Sequence, residues 1–279
     1  IVEQLSVQGM ARLREHGDVR VVSQQGLRVL FLALRMNERP FSDPRVREAL
    51  DRALDREELV RRALGGQGTP ASQLVPPAVM GYNPSIQPGV PDRQRARELL
   101  RAAGYPHGFP IRLDGPNNRY RNDTQILEEV KRQLGEIGII VEINALPKER
   151  FFALQEAFGS RFYLFGWTCE TLQAGDALGV LTHTRSPDGM GSENSQFFSD
   201  ALLDRLIGEA SDSGDLSTKA DLWRSAIARV AELRPVLPLV IERETFGFSR
   251  TIVWEPPLDG SLRILEVASA VPASPPAKK

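Results

Sequence analysis

At 279 residues the chain is long enough for one large domain or two ordinary ones with a real hydrophobic core. Its 35 basic and 36 acidic residues leave a formal charge of -1, so no global field selects nucleic acid or an anionic membrane as partner. A single cysteine excludes an intramolecular disulfide framework and a cysteine-rich metal site, and no apolar run approaches the roughly 18 residues of a membrane-spanning helix.

In chain order, residues 3–15 pattern as a short helix with Leu5, Met10 and Leu13 as its apolar positions. Residues 19–22 and 27–34 are β-rich, the second as a nearly continuous apolar run, LRVLFLAL, typical of a buried strand. The period then switches. Asp43 is a good N-cap, and Pro44 stands at the first helical position, where a missing N–H costs nothing. Val46, Ala49, Leu50, Ala53 and Leu54 share one helical face. Asp55 and Glu58 have capping-box spacing and start a second helix over 56–64, stopped by Gly65 and Gly66. Prolines 70, 76, 77, 84, 88 and 91 exclude helix and central strand from 67–92, a stretch too rich in apolar residues for a disordered linker.

A helix over 92–103 ends at Gly104. Strand, loop, helix and strand follow at 110–113, 115–123 (GPNNRYRND), 124–136 and 138–146, a βαβ unit. A helix over 148–158 leads into the strand FYLFGW, 162–167, a second crossover that predicts an α/β fold with helices packed on the faces of a sheet. Residues 183–199 are polar loop, 200–210 and 218–233 helices, and 237–241, 246–249 and 252–254 strands. The tail VASAVPASPPAKK is poor in packing residues and is expected to fray.

Much catalytic chemistry is missing from the sequence. The three histidines have no carboxylate or cysteine at metal-ligand spacing, and no G-x-S-x-G, Walker A or post-strand G-x-G-x-x-G pattern occurs, so no metal or cofactor is expected. Cys169 and His183 as nucleophile and base have only a spacing that chance supplies. Two segments remain. YLFGWTCETLQAGDALGVL, 163–181, puts Trp167, Glu170 and Asp176 just past the C-terminal end of a strand, where α/β sheets place ligand groups. An apolar wall with a charge for a cation or amine suits recognition; the competing reading is a structural tryptophan with solvated acids. Glu170 and Asp176 also admit a carboxylate-pair hydrolase acting on peptides or glycosides. In GPNNRYRND, Asn117, Asn118, Arg119 and Tyr120 offer donors beside a helix N-terminus, against plain N-capping by Asn122 or Asp123.

The succession of these segments, from about residue 19 to 267, resembles the peptide/nickel class of ABC-transporter solute-binding proteins, the dipeptide and oligopeptide binding proteins. Pro-Phe-x-Asp-x-x-Val-Arg-x-Ala-Leu at 40–50 and Ala-Gly-Tyr-Pro-x-Gly at 103–108 carry it most specifically. The resemblance implies a periplasmic binding protein-like type II α/β fold with a mixed sheet flanked by helices. It implies a non-catalytic protein of two lobes that close on a solute and deliver it to a membrane permease, in the periplasm or another extracytoplasmic space. Residues 37–239 then correspond to the second lobe, with 1–36 and 240–279 as parts of the first, whose bulk, with a signal peptide, is expected upstream. An exposed apolar surface near LRVLFLAL and the C-terminal strands is expected to follow. In peptide-binding members an aspartate after Gly-Trp pairs with the peptide's amino terminus, and Glu170 stands at that place here. An arginine after the earlier strand grips the carboxylate in those members; here Asn117 is near that place and Arg119 two residues on. The implied ligand-facing set is Asn117, Arg119, Tyr120, Trp167, Glu170 and Asp176, and the implied solute a short peptide or a related amine or amino-acid compound.

Overall fold

The computed structural model describes residues 1–269, so most of the tail expected to fray lies outside the described residues. In chain order the elements are β1 (Val2–Glu3), α1 (Val7–Arg14), β2 (Val19–Leu34), α2 (Pro44–Ala53), α3 (Arg56–Leu64), β3 (Gly68–Pro70), α4 (Arg93–Ala102), β4 (Pro110–Pro116) and α5 (Asp123–Gly135). They continue with β5 (Ile140–Leu146), α6 (Lys148–Glu156), β6 (Phe162–Thr168), α7 (Ala174–Leu181), α8 (Ala201–Asp212), α9 (Leu216–Leu233), β7 (Val236–Ser249), β8 (Ile252–Val253) and β9 (Ala268–Ser269). The chain divides into two compact units, Leu27–Glu242 and, apart from it, Ile1–Gly26 with the residues from Arg243 onward.

In the larger unit the sheet runs β7-β2-β6-β4-β5, with β3 paired to β7. β4 is parallel to β5 over its whole length and to β6 at Asp114 and Tyr163, whereas β2 is antiparallel to β6, so the sheet is mixed. Helices flank it on both faces. The LRVLFLAL run shows why: Leu30, Leu32 and Leu34 join one core with residues of α2 to α5, and Leu27, Phe31 and Ala33 join another with residues of α6 to α9. Successive side chains of a strand point to opposite faces, so a strand covered on both sides reads as continuously apolar. Every residue of 27–34 except Arg28 is buried, which overturns the expected exposed surface there.

The two motifs of the sequence acquire physical reasons. In PFSDPRVREAL, Phe41 is buried, the Asp43 carboxylate accepts from the Arg45 N–H at 2.9 Å, and Pro44 opens α2. Arg47 is buried beneath them and donates to the carbonyls of Phe41 at 2.8 Å and Leu233 at 2.9 Å. In AGYPHG, Gly104 follows α4 at φ +93°, and Gly108, at φ +75°, lies so close to Gly138 that a Cβ would stand 1.9 Å from its carbonyl oxygen. That contact sets the turn into β4 against the turn into β5.

The smaller unit has its own modest core. Ser6 Oγ caps α1 by accepting from the Gly9 N–H at 3.0 Å. Trp254 packs edge-on against Phe246 and Phe248, with ring centroids 5.1 and 5.5 Å apart.

Boundaries differ from the sequence reading in four places. Residues 19–22 and 27–34 lie on one strand, as do 237–241 and 246–249, because ladder pairing carries a strand through polar positions that hydropathy interrupts. The first helix begins at Val7 rather than at residue 3, where Val2 and Glu3 pair with Gly247 and Phe246. Residues 174–181, to which the sequence reading assigns no helix, form α7; Ala174, Ala177, Leu178 and Leu181 are buried at helical spacing, and Gly175 makes room for the Trp223 ring.

Two predictions follow from these contacts. Gly108→Ala, which combines a left-handed backbone with a backbone clash, is expected to destabilise the fold by about 3 kcal/mol. Gly89→Ala, in open space at ordinary φ, is expected to change stability by less than about 0.5 kcal/mol in the same urea titration. The second concerns Asp200, which caps α8 and takes a two-pronged ion pair from Arg229 at 2.7 and 3.1 Å, holding its carboxyl below the usual range. A depressed folded value makes this contribution complete above the unfolded carboxylate value of about 3.9 and lost as pH falls through the folded one. Asp200→Asn is therefore expected to lower stability at pH 7 and to flatten its decline below about pH 4, measured by urea unfolding across pH.

Candidate functional site

β4 and β6 run in the same direction, so the loops leaving their C-terminal ends emerge on one side of the sheet. The β4 loop carries Arg119 and Tyr120, and the β6 end carries Gly166, Trp167 and Thr168 followed by Glu170. These residues line one cavity of about 790 Å³. Its apolar wall includes Phe152, Phe158, Phe165 and Trp167. Phe165 is backed by Phe31, Phe151 and Tyr163, with centroids 5.9 to 6.4 Å away, so the wall is packed from behind and not by a ligand.

The β4 loop is held by Asp123. One of its carboxylate oxygens accepts from the backbone N–H groups of Arg119 and Tyr120 at 2.9 and 3.2 Å, the other from Thr124 N–H at 2.9 Å. Asn122, the residue before α5, sits at φ +54° and gives its side-chain amide to the Ala63 carbonyl at 2.8 Å instead of capping. Tyr120 is buried against Gly166, and burial pushes its phenol above the ordinary value, so it stays a neutral donor. Arg119 is exposed, with its guanidinium 5.5 Å over the Tyr120 ring. Asn117 is exposed and lies outside the cavity lining; its backbone N–H donates to the Leu146 carbonyl at 2.9 Å. Asn118 caps α6 by accepting from Lys148 N–H at 2.8 Å.

The two acids of the β6 loop differ. Asp176 stands in the first turn of α7 with both oxygens engaged: Oδ1 accepts from Trp167 Nε1–H at 2.9 Å, and Oδ2 from the N–H and hydroxyl of Thr171, each at 3.1 Å. It fixes the indole and the turn. Glu170 is exposed at the cavity, and its carboxylate has no ion pair or hydrogen bond among the described residues. A carboxylate pair for hydrolysis needs both members available to move protons, and Asp176 is tied into the loop. Cys169 is buried, its thiol pushed up to about 12 mainly by burial, and its Sγ faces the Gln173 carbonyl; His183 is bonded to the Thr184 carbonyl instead.

Other lining residues escaped the sequence reading. Arg28 pairs with Glu242 at 3.1 Å and donates to Thr168 Oγ1 at 3.0 Å. Its signal was present, as the one charge inside LRVLFLAL. Arg185 lies 5.0 Å over the Phe158 ring and donates to the Ser192 carbonyl at 2.6 Å. Glu156, Glu193, Gln155 and Ser195 also line the cavity, brought there from α6 and the 183–199 loop by tertiary packing alone. Among the described residues no group of three His, Cys, Asp or Glu could hold a metal, and no helix is long and apolar enough to cross a membrane.

With this geometry in hand, comparison with known proteins defines the class. Residues 1–188 match the family described as Bacterial extracellular solute-binding proteins, family 5 Middle, and the chain belongs to that family. Its curated relatives include the glutathione-binding protein GsiB of Shigella dysenteriae, 29% identical over 248 residues that make up 87% of this chain and 48% of that protein. The chain therefore spans about half the length of the curated relatives it matches. Among solved structures, the periplasmic binding protein DppA of Helicobacter pylori in complex with the peptide STSA superposes with a TM-score of 0.86 at 20% identity, over 96% of this chain and 52% of that one. The dipeptide binding protein of Pseudoalteromonas sp. SM9913 in complex with Met-Leu gives 0.81 at 22%, over 95% and 52%. The fold is accordingly that of periplasmic binding proteins of type II, as the resemblance implied.

Removing the Asp176 carboxylate strands the Trp167 N–H and the Thr171 donors. Asp176→Ala is expected to cost about 1–3 kcal/mol in urea unfolding and to change the tryptophan emission of the folded state, whereas Glu170→Ala is expected to leave stability within about 0.5 kcal/mol.

Proposed function

We propose that this chain forms the second, ligand-gripping lobe of the substrate-binding component of an ABC importer. It captures a short peptide or a related amine or amino-acid compound and passes it, unmodified, to a membrane permease. This lobe takes in residues 37–239 together with the β2 residues 27–34 that pack between its helices, and the two ends of the chain belong to the first; the division of the chain after Gly26 and Glu242 supports that assignment. The site of action is the periplasm or its extracytoplasmic equivalent, in keeping with the family's description as extracellular.

The observation that carries the reading is the convergence of Arg119, Tyr120, Trp167 and an uncommitted Glu170 on one aromatic-walled cavity at the C-terminal ends of two parallel strands. Glu170 takes the ligand's amino group, Arg119 an anionic or polar group, and Trp167, held by Asp176, packs on the ligand body. Asn117, outside the lining, acts through the shape of the β4 loop. The relatives and structural neighbours named for glutathione, the peptide STSA and Met-Leu support the solute class. Capture works by closure: a ligand that touches both lobes binds the closed state better and shifts the population toward it.

The test is calorimetric titration of Ala-Ala, Ala-Ala-Ala and glutathione into the protein as its organism makes it. At least one of these is expected to bind and to be recovered intact, and Glu170→Ala is expected to weaken that binding by about tenfold or more. Equal affinity in the variant would remove Glu170 from the site; cleavage of the recovered compound would remove the non-catalytic reading.

A further inference from the structure

Arg28 is the one charge in the run LRVLFLAL, and every other residue of that run is buried. A guanidinium placed there gives up part of its hydration, which costs free energy unless partners replace the water. Two neighbouring strands supply them. Arg28 Nε donates to Thr168 Oγ1 at 3.0 Å, from the residue opposite it on β6, and Nη1 donates to Glu242 Oε2 at 3.1 Å, from β7. The other Glu242 oxygen accepts from the Arg121 N–H at 3.4 Å, so one buried carboxylate links Arg28 to the β4 loop.

A pair that served only to tie strands together would close on itself, and this one stays open. Arg28 lines the cavity with 26% of its side chain exposed. The N–H groups of its Nη2 have no partner among the described residues, and Nη2 keeps accessible surface. An arginine with some donors fixed by the protein and others open to a cavity is aimed before any ligand arrives, which spares the ordering cost of binding an anion.

The surroundings add positive charge. The Tyr120 phenol, kept protonated by burial, feels the charges of Arg119, Arg28 and Glu242, which together are net positive. Arg119 stands 5.5 Å over the Tyr120 ring, and a Cβ on Gly166, two residues before Thr168, would lie 2.9 Å from Tyr120 Cε1. The remaining guanidinium of the lining, Arg185, is committed elsewhere, over the Phe158 ring at 5.0 Å and to the Ser192 carbonyl in the same loop as Glu193. Arg28 and Arg119 differ in strength. An attraction between exposed charges is screened by water and changes affinity by less than about fivefold, whereas a charge-assisted bond from a half-buried, oriented guanidinium changes it by about tenfold or more.

We infer that Arg28 is the residue that recognises the anionic group of the solute: its Nη2 donates to the carboxylate of a short peptide, and Arg119 adds a weaker, water-screened attraction. The inference rests on the peptide-binding reading above. It moves the main anion contact from the loop after β4, where the resemblance implied it, to β2.

The experiment compares Ala-Ala and Ala-Ala-Ala with their C-terminal amides by calorimetry in the protein as its organism makes it. The free acids are expected to bind about tenfold or more tightly than the amides. Arg28→Gln alone would leave the Glu242 carboxylate buried and unpaired, so it is combined with Glu242→Gln, with folding checked by thermal melting. A glutamine at 242 still offers an acceptor to the Arg121 N–H, and loss of the negative charge by itself favours an anion, so a fall in the acid preference is due to Arg28. That preference is expected to fall to within about threefold in the double variant. It is expected to fall part of the way in Arg28→Lys, whose single ammonium must serve Glu242 and the solute at once, and by less than about fivefold in Arg119→Gln. An unchanged preference in the folded double variant or in Arg28→Lys, a larger loss in Arg119→Gln than in the double variant, or equal wild-type binding of acids and amides overturns the assignment and leaves the peptide reading intact. Failure of both acids and both amides to bind overturns the peptide reading and the assignment with it.

Discussion

The site depends on the absence of a side chain at residue 166. A Cβ on Gly166 would lie 2.5 Å from Leu30 Cδ2 and 2.9 Å from Tyr120 Cε1. Without it, Tyr120 leaves the β4 loop and beds against β6, joining the core that the β2 residues Leu30, Leu32 and Leu34 enter from the adjacent strand. This one close approach ties the loop after β4 to the end of β6. It puts Arg119 and Trp167 on a common cavity, although 48 positions of sequence separate them. Burying the phenol also keeps it protonated, so the charges of the cavity belong to arginines and carboxylates alone.

Around that contact the polar groups fall into two sets. Asp123, Asp176 and Arg28 are engaged by the protein: with loop N–H groups, with the indole and Thr171, and with Glu242 and Thr168. Each removes a loop's freedom before any solute arrives, which is how a binding site avoids a large ordering cost at the moment of binding. Glu156, Glu170 and Glu193 carry charge that the chain itself does not use. The same side-chain chemistry, a carboxylate near a tryptophan, thus serves as scaffold at Asp176 and as an open contact at Glu170. The difference is set by whether donors of the chain lie within reach.

The elements that sequence reasoning recovered have a cause that is local. Asp43, Asp55, Asp92 and Asp200 each accept a backbone N–H at the start of a helix, as residues with short oxygen-bearing side chains do wherever a helix begins. The βαβ unit at β4, α5 and β5 is equally legible, because its helix stripe and its strand alternation lie within one stretch of chain. The segment of α7 had the right spacing of buried residues yet was not read as a helix. Its glycines argue against a helix by propensity, and only the Trp223 ring packed on Gly175 shows what they are for.

By itself, then, the sequence determined the α/β class, the helix starts, the two loops that carry the candidate ligand contacts and, through PFSDPRVREAL and AGYPHG, the family. Those features rest on hydrophobic period, capping chemistry and backbone conformations that neighbouring residues dictate. Tertiary structure alone decided which of the singled-out residues share the cavity and that Asn117 does not. It also decided that Asp176 is spent on Trp167 and that Glu156 and Glu193 from distant segments join Glu170. A side chain's partners depend on what packing brings within about 3 Å of it, and in a sheet whose neighbouring strands are far apart in the chain no local pattern carries that information.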